Sequence, residues 1–205
     1  SSTGELLYRL MKAGDFPFSP TVYQGLLCAV VTDTGSFRYA NTTTLAFTIG
    51  AEALRGGAAP WDVAKGIYER NRLSRIQALA RALDSITLGP DGRWSLMTVT
   101  HQMLQETGAN LEDTEGFINY ARSIEGVEVA ILLREDGPDL WKISLRSKGR
   151  VNVSTIARPL GGGGHHNAAA CKLALSREDA LEALLPHVEA HLSALDAQDA
   201  QDAQE

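Results

Sequence analysis

The chain has 205 residues, 44% of them hydrophobic and 21% charged, which is the balance of a globular protein with room for one large or two small domains. No apolar run approaches the roughly 18 residues that a membrane helix needs, and no signal peptide is visible. The net charge of −6 argues against broad electrostatic binding of long duplex DNA, although a few local cations and backbone amides can still hold one or two phosphates.

The first predicted element is a helix at the start of the chain. The chain opens with Ser1, without a methionine, and we expect it to be part of a longer protein. Ser2 and Glu5 have the spacing of a capping box, which predicts a helix to about Lys12. The Ser1–Thr3 segment is either a simple helix cap or an anion site, and as an isolated motif the cap is the better interpretation.

The next elements are predicted from apolar spacing. A proline-rich loop at Asp15–Pro20 precedes Tyr23–Val31, which we interpret as the end of a helix running into a buried strand, because Leu26–Val31 is continuously apolar. Helical spacing then predicts three helices, at Thr43–Arg55, Pro60–Arg70 and Leu73–Ile86.

After the turn at Gly89–Gly92 the pattern changes to alternating strands and helices. Period-two patterning is clearest in Leu140–Arg146, where apolar and polar residues alternate. The predicted strands are Trp94–Thr100, Val127–Arg134, Leu140–Arg146 and Ala170–Leu175, and the predicted helices are Asp113–Ile124, Val153–Arg158 and Arg177–Leu195. The alternation indicates an α/β fold in two domains.

A run of four glycines followed by a histidine is the strongest local motif. Gly161–Gly164 can expose backbone N–H groups without side-chain obstruction, and His165 at its end can donate to a phosphate. Arg158 lies just upstream, and Arg146 lies on the polar face of a predicted strand. The alternative is a flexible linker, which we find less favoured because strand and helix patterns flank the loop tightly.

A carboxylate follows the apolar run of the first half. If that run is a buried strand, Asp33 lies at its C-terminal end, where open α/β sheets place their sites, and it could bind a divalent cation. A turn-forming aspartate before Gly35 explains the pattern equally well. Arg38 is either a surface residue or a phosphate clamp, and the pattern leaves both open.

Other chemistry-bearing residues give weaker signals. His187 and His191 have the i, i+4 spacing of a zinc pair, but no third ligand is evident nearby, which favours surface histidines on an amphipathic helix. Cys28 and Cys171 are far apart in apolar surroundings, which favours reduced core cysteines and a cytoplasmic setting.

Taken together, the motifs resemble one family, the DHH/DHH-associated-domain phosphoesterases of the RecJ-like type. Within it, the oligoribonuclease and 3′-phosphoadenosine-5′-phosphate phosphatase group is the most similar. The segments that carry the resemblance are Ser1–Glu5, Thr32–Thr42, Asp113–Val127, Ser144–Ser147 and Gly161–His165.

This resemblance implies the remainder of a parallel-sheet DHH domain plus a smaller mixed-sheet α/β DHH-associated domain. The implied boundaries are 1–71 for the DHH portion, 72–84 for a connecting helix, 85–195 for the substrate-binding domain and 196–205 for a disordered tail. Carried over residue by residue, Asp33 matches the metal-binding aspartate. The implied substrate-binding residues are Gly162, Gly163, Gly164, His165 and Arg146, with Arg158 as a further candidate.

The family also implies two Mn²⁺ or Mg²⁺ ions, whose other ligands and catalytic groups are expected in a DHH segment before Ser1. We therefore expect a phosphodiesterase, exonuclease or phosphatase that hydrolyses short RNA or DNA oligonucleotides and nucleotide bisphosphates, with this stretch inactive alone. A homodimer is possible, and no membrane partner is expected. The alternatives are a cyclic-dinucleotide phosphodiesterase, a non-catalytic nucleotide-binding module, and an accessory domain of the alanyl-tRNA synthetase type, against which the Thr32–Thr42 segment argues.

Overall fold

The computed structural model describes residues 3–202. The chain divides between Asn71 and Arg72 into two compact units. Ser1 and Ser2, on which the predicted capping box and anion site depend, lie outside the described residues, as do residues 203–205. None of the helices within residues 3–202 is long and apolar enough to cross a membrane.

The first unit is built from helices. They are α1 (Thr3–Ala13), α2 (Pro20–Asp33), α3 (Thr44–Arg55) and α4 (Pro60–Tyr68). Their apolar faces form two small clusters, one around Leu26, Val30 and Ile49 and the other around Leu27 and Val63. Glu5 is buried in this unit, and Thr43 Oγ1 donates a 2.6 Å hydrogen bond to its carboxylate.

The buried strand predicted at Leu26–Val31 is wrong, because these residues belong to helix α2. Ser19 caps that helix by accepting a hydrogen bond from Val22 N at 3.3 Å, and Pro20 occupies the first turn. A short apolar run fits a buried helix as well as a strand, and here the helical caps decide. Asp33 therefore ends a helix and does not follow a strand, and no strand occurs among residues 3–71.

The second unit contains a mixed sheet with helices on both faces. Its strands are β1 (Thr87–Leu88), β2 (Trp94–Val99), β3 (Val129–Gly137), β4 (Leu140–Ser147), β5 (Gly163–His165) and β6 (Ala168–Leu173). Its helices are α5 (Leu73–Asp84), α6 (His101–Thr107), α7 (Ile118–Ser123), α8 (Val153–Ala157) and α9 (Arg177–Asp202). The α/β fold class is confirmed, with the whole described sheet in this unit.

The strand order is β1-β2-β3-β4-β6-β5, and only the β2–β3 pairing is parallel. One face of the sheet packs against α8 and α9 through the larger core cluster, which includes Ile131, Ile143 and Leu184. The opposite face packs against α5, α6 and α7, but through β2 and β3, where Met97 and Leu132 are buried. The β6 and β5 part of that second face is thus left without a helix layer among the buried clusters, whereas α7 also lies beside β4.

Helix α5 is part of the second unit rather than a bare connection. Its Ala78, Leu79 and Ala82 are buried against β2, β3 and α7. Farther along the chain, the single helix predicted at Asp113–Ile124 is interrupted, because Gly116 adopts a φ of +83° between a 3₁₀ turn and α7.

The C-terminal helix is longer than predicted. Residues 196–202, expected to be disordered, continue α9, and two arginines hold this extension. Arg93 Nη1 lies 2.6 Å from Asp196 Oδ1, and Arg150 Nη2 lies 2.6 Å from Asp199 Oδ2. The Asp-Ala-Gln repeat thus supplies i, i+3 carboxylates on one helical face.

Both cysteines are free thiols, and burial raises the pKa of Cys171.

Candidate functional site

The glycine run enters the sheet as its edge strand. Gly161 has a φ of +73° and ends the 3₁₀ turn Arg158–Leu160, and β5 begins two residues later. Gly161 N donates to Arg158 O and Gly162 N donates to Ala157 O, both at 3.0 Å. The N–H of Gly162 is therefore used within the fold, while a role of this glycine in binding substrate stays a prediction.

Two of the glycines are needed because the backbone of β6 lies against them. A Cβ at Gly162 would stand 2.3 Å from Ala170 O, and one at Gly164 would stand 2.4 Å from Ala168 O. Both obstructions are main-chain atoms of a paired strand, which cannot move aside cheaply. At Gly163 a Cβ would meet nothing within 4 Å, so this position faces open space and its lack of a side chain leaves room beside the sheet.

The register of the strands brings His165 and Arg146 onto one face of the sheet. His165 on β5 pairs with Ala168 on β6, and Ala168 pairs with Arg146 on β4. Side chains of directly paired residues point to the same face, and two strand spacings amount to about 10 Å. The histidine and the arginine thus stand on either side of an alanine whose methyl group leaves the space between them open.

We call this region the open face, defined as the surface over Lys142, Ser144, Arg146, Gly163, His165, Ala168 and Ala170. Their side of the sheet follows from the alternation in β4, in which Ile143 and Leu145 are buried on the opposite side. All seven are half-buried or exposed, in contrast to Ala130 and Leu132 on the same face of β3, which are buried. The uncovered part of the face therefore lies over β6 and the edge strand β5 and includes β4 only in part, because α7 lies beside β4.

Arg146 is half-buried on this face, and its Nη1 donates a 3.0 Å hydrogen bond to Leu145 O. Arg158, at the start of the 3₁₀ turn before the glycines, is exposed, and its side chain makes no hydrogen bond or ion pair with the described residues. Arg146 lies in the same row as His165. Arg158 lies outside the strands, so the strand register does not place it on that face.

The hairpin that carries His165 is held in place by hydrogen bonds of its turn residues. Ser147, which is buried, donates through Oγ to Asn167 Oδ1 at 3.1 Å, and Ser147 N donates to Asn167 O at 3.2 Å. His166 Nε2 donates to Gly149 O at 2.8 Å, and Val153 N donates to His166 O at the same distance. His166 and Asn167, to which the sequence analysis gave no role, therefore position the loop.

A compact ion-pair cluster lies at the far end of the open face. Asp136 accepts from Arg134 Nη2 at 2.7 Å and from Lys172 Nζ at 2.8 Å. Burial by itself would raise the pKa of Asp136, but the hydrogen bonds from Lys172 and Arg134 hold that pKa below its ordinary value. Lys142 pairs with both Arg134 and Lys172 in the strand register, and its side chain makes no ion pair or hydrogen bond with the described residues.

Asp33, the predicted metal ligand, is exposed and belongs to the first unit, whereas the other predicted site residues belong to the second. Its carbonyl oxygen accepts from Asn41 Nδ2 at 3.0 Å. Within residues 3–202, no group of three histidine, cysteine or acidic side chains could hold a metal ion. A single exposed carboxylate does not make a two-metal site, so this stretch of chain does not fit the implied metal pair by itself.

Arg38 is exposed and its Nε donates to Gly35 O at 2.7 Å, and its alternative role as a phosphate clamp stays a prediction. Gly35, Ser36 and Phe37 all have positive φ, at +56°, +62° and +62°, a costly conformation for the two residues with side chains. The loop after Asp33 is therefore a fixed, tightly hydrogen-bonded turn.

The histidine pair of α9 is structural. His191 Nδ1 donates to His187 O at 2.7 Å, and its Nε2 lies 2.8 Å from Thr155 Oγ1 on α8. Both ring nitrogens are thus occupied within the fold, which agrees with the absence of a zinc cluster among the described residues.

With this geometry established, comparisons with known proteins define the class. The DHHA1 domain family matches residues 96–194, which include β2 to β6 and most of α9. The bifunctional oligoribonuclease and PAP phosphatase NrnA of Thermus thermophilus is 29% identical over 194 residues, covering 94% of this chain and 58% of the relative. The protein of the same name from Bacillus subtilis is 22% identical over 176 residues, covering 84% of this chain and 55% of the relative.

A solved structure agrees with the sequence matches. The crystal structure of an exopolyphosphatase-related protein from Bacteroides fragilis superposes with a TM-score of 0.90 at 28% identity, covering 96% of this chain and 58% of that one. The fold is therefore that of a DHHA1-containing protein. Residues 96–194 thus match a DHHA1 domain, and the chain as a whole is similar to the NrnA proteins, of which it spans a little over half the length.

Proposed function

We propose that this chain is the substrate-binding portion of a DHH-family phosphoesterase that hydrolyses short oligonucleotides and nucleotide bisphosphates. The observation that carries the proposal is the shared row of His165, Ala168 and Arg146 on the open face of the sheet. The names of the two NrnA relatives, which specify an oligoribonuclease and a PAP phosphatase, support this substrate class.

The row suits a terminal phosphate for chemical reasons. A guanidinium binds a phosphate with two parallel hydrogen bonds, and a histidine on the other side can donate a third. Because Arg146 is half-buried, its attraction for an anion is less screened than that of a fully exposed arginine. Gly163 has no side chain and Ala168 has only a methyl group, so a tetrahedral anion has room to approach the two donors.

Hydrolysis in this proposal depends on two divalent cations, Mn²⁺ or Mg²⁺, with Asp33 as one ligand. Such ions would stabilise charge on the attacking and leaving oxygens when bound. We propose that the remaining ligands lie outside residues 3–202, because no group of three metal-binding side chains occurs among those residues. We accordingly propose that this stretch binds substrate but does not turn it over alone.

A binding experiment tests the phosphate site. The 205-residue chain is titrated with ribose 5-phosphate and with a dinucleotide that either carries or lacks a 5′-phosphate, followed by NMR of the labelled protein. We expect preference for the phosphorylated ligands, lost in Arg146→Gln and reduced in His165→Ala. The matched controls are Arg177→Gln and His101→Ala, which lie at the starts of α9 and α6 and not in strands β4, β5 or β6. Equal losses in the controls would refute the site.

A second experiment tests the reaction. A protein that contains this chain together with an upstream DHH segment is incubated with Mn²⁺ and a 5′-labelled dinucleotide, with and without chelator. Mononucleotide release that stops on chelation is the expected result. Release only from cyclic dinucleotides would favour the cyclic-dinucleotide alternative, and binding without any turnover would favour a non-catalytic nucleotide-binding module.

A further inference from the structure

A second basic residue stands on the open face, on the same strand as Arg146. Lys142 and Arg146 are four residues apart on β4, so their Cα atoms are separated by about 13 Å at about 3.3 Å per residue. Both follow the alternation that places Ser144 between them on the same side. A ligand held at Arg146 can therefore extend along β4 toward Lys142.

Lys142 differs from the cations beside it. In the strand register it stands between Arg134 on β3 and Lys172 on β6, and both of these neighbours bind the carboxylate of Asp136. The side chain of Lys142 makes no hydrogen bond or ion pair with any residue the structure describes. Its ammonium group is thus the cation of this row whose donors are available to a ligand.

The surface between the two cations accommodates a flat group. Ser144 pairs with Ala170, and Ala170 pairs with Gly163, where a Cβ would meet nothing within 4 Å. This middle row carries no side chain larger than a hydroxymethyl group. A sugar and base can lie across it when their phosphate is held at the row of Arg146 and His165.

We propose that Lys142 reads the base of the nucleotide whose phosphate is bound at Arg146, and that it favours guanine. This inference rests on the proposed function and adds a base preference to the same site. A lysine is a donor only, and guanine presents two acceptors, O6 and N7, on one edge. Adenine presents N7 beside an amino donor, which an ammonium group repels, so one lysine discriminates between the two purines.

A set of small ligands tests this directly. The 205-residue chain is titrated with GMP, AMP and ribose 5-phosphate, followed by NMR, in the original form and as Lys142→Met. The substitution keeps the apolar length of the side chain and removes its charge. Lys65→Met, on α4 in the first unit, makes the same charge change elsewhere and is the matched control.

We expect GMP to bind about tenfold more tightly than AMP, a difference within the range of one good base contact. Lys142→Met should abolish that preference and leave ribose 5-phosphate binding within about twofold, while Lys65→Met changes neither. An unchanged ratio of GMP to AMP affinity in Lys142→Met would overturn the inference. So would an equal weakening of all three ligands, which would make Lys142 a general anion contact.

The two proposals fail in distinguishable ways. If ribose 5-phosphate binds and Arg146→Gln abolishes its binding, the phosphate site stands whatever Lys142→Met does to the base preference. If ribose 5-phosphate does not bind at all, the phosphate site is lost, and the base-reading role of Lys142 is refuted with it.

Discussion

Arg146 and His165 stand on the same face of the sheet because each is directly paired with Ala168. The two residues come from separate strands, and the alanine between them keeps their donors apart without filling the gap. A spacing of about 10 Å between the outer strands lets two long polar side chains converge on one tetrahedral anion. This relationship is the basis of the phosphate site that we propose at the edge of the sheet.

Replacing the loop glycines one at a time should show which of them is needed for stability and which for phosphate binding. Gly162→Ala places a Cβ 2.3 Å from a main-chain oxygen, so we expect it to lower the free energy of unfolding by about 1–3 kcal/mol. Gly163→Ala meets no atom within 4 Å and should leave stability nearly unchanged while weakening phosphate binding. Urea unfolding and ribose 5-phosphate titration measure the two effects, and equal destabilisation by both substitutions would contradict the steric argument.

The contact between Ser147 and Asn167 should stabilise the hairpin. Asn167→Ala leaves the buried Oγ of Ser147 without its 3.1 Å acceptor, and an unsatisfied buried hydroxyl costs about 1–3 kcal/mol. The double variant Ser147→Ala/Asn167→Ala should lose less than the sum of the single variants, because the same interaction is removed twice. Thermal or urea unfolding of the four proteins measures the coupling, and simple additivity would show that the contact contributes nothing.

The pKa of Asp136 predicts how stability changes with pH. Its folded pKa is held below the unfolded value, so its contribution is present above the unfolded pKa and is lost as pH falls through the folded pKa. Asp136→Asn should therefore destabilise the protein at pH 7, by about 3 kcal/mol if it behaves as a broken, largely buried pair, and should flatten the loss of stability below about pH 5.

The measurement for Asp136 is the free energy of unfolding between pH 3 and 7. Asp139→Asn is the matched control, because Asp139 lies in the exposed turn of the same hairpin at a φ of +47°, which asparagine tolerates. An acid limb that is identical in Asp136→Asn and the original chain would refute the linkage.

The last turns of α9 should be the least stable part of that helix. They are held by exposed ion pairs of Arg93 with Asp196 and of Arg150 with Asp199, and such pairs contribute about 0–1 kcal/mol each. Truncation after Leu195 should therefore lower stability by no more than about 1–2 kcal/mol. Amide exchange in residues 196–202 should be faster than around Leu184 and should increase with salt, whereas salt-independent protection would indicate another source of order.

Much of the second unit could be predicted from the sequence. The alternation in Leu140–Arg146 predicted a strand with one buried face, and the structure has it as β4. Arg177–Leu195 was predicted as a helix because its apolar residues recur at helical spacing, and α9 begins at Arg177. In both segments the spacing of the apolar residues along the chain already indicates the secondary structure, so local pattern and tertiary packing agree.

Other elements could not be predicted because their deciding contacts are distant in sequence. The extension of α9 into residues 196–202 depends on Arg93 and Arg150, which lie far upstream. Leu26–Val31 is uniformly apolar, so it has no period of its own, and the cap at Ser19 and Pro20 together with the packing of the first unit selects a helix. The consequence for function is that Asp33 ends a helix rather than a strand.

The sequence alone determined which chemical groups are available and predicted the α/β fold class, because motif order and local periodicity depend on residues close together in the chain. It also required glycine in the loop before His165. Only the tertiary structure decided which glycines are pressed against β6, and that His165 faces Arg146 across Ala168. The physical reason is that strand register joins residues distant in sequence, and a shift of one position would turn either side chain to the opposite face of the sheet.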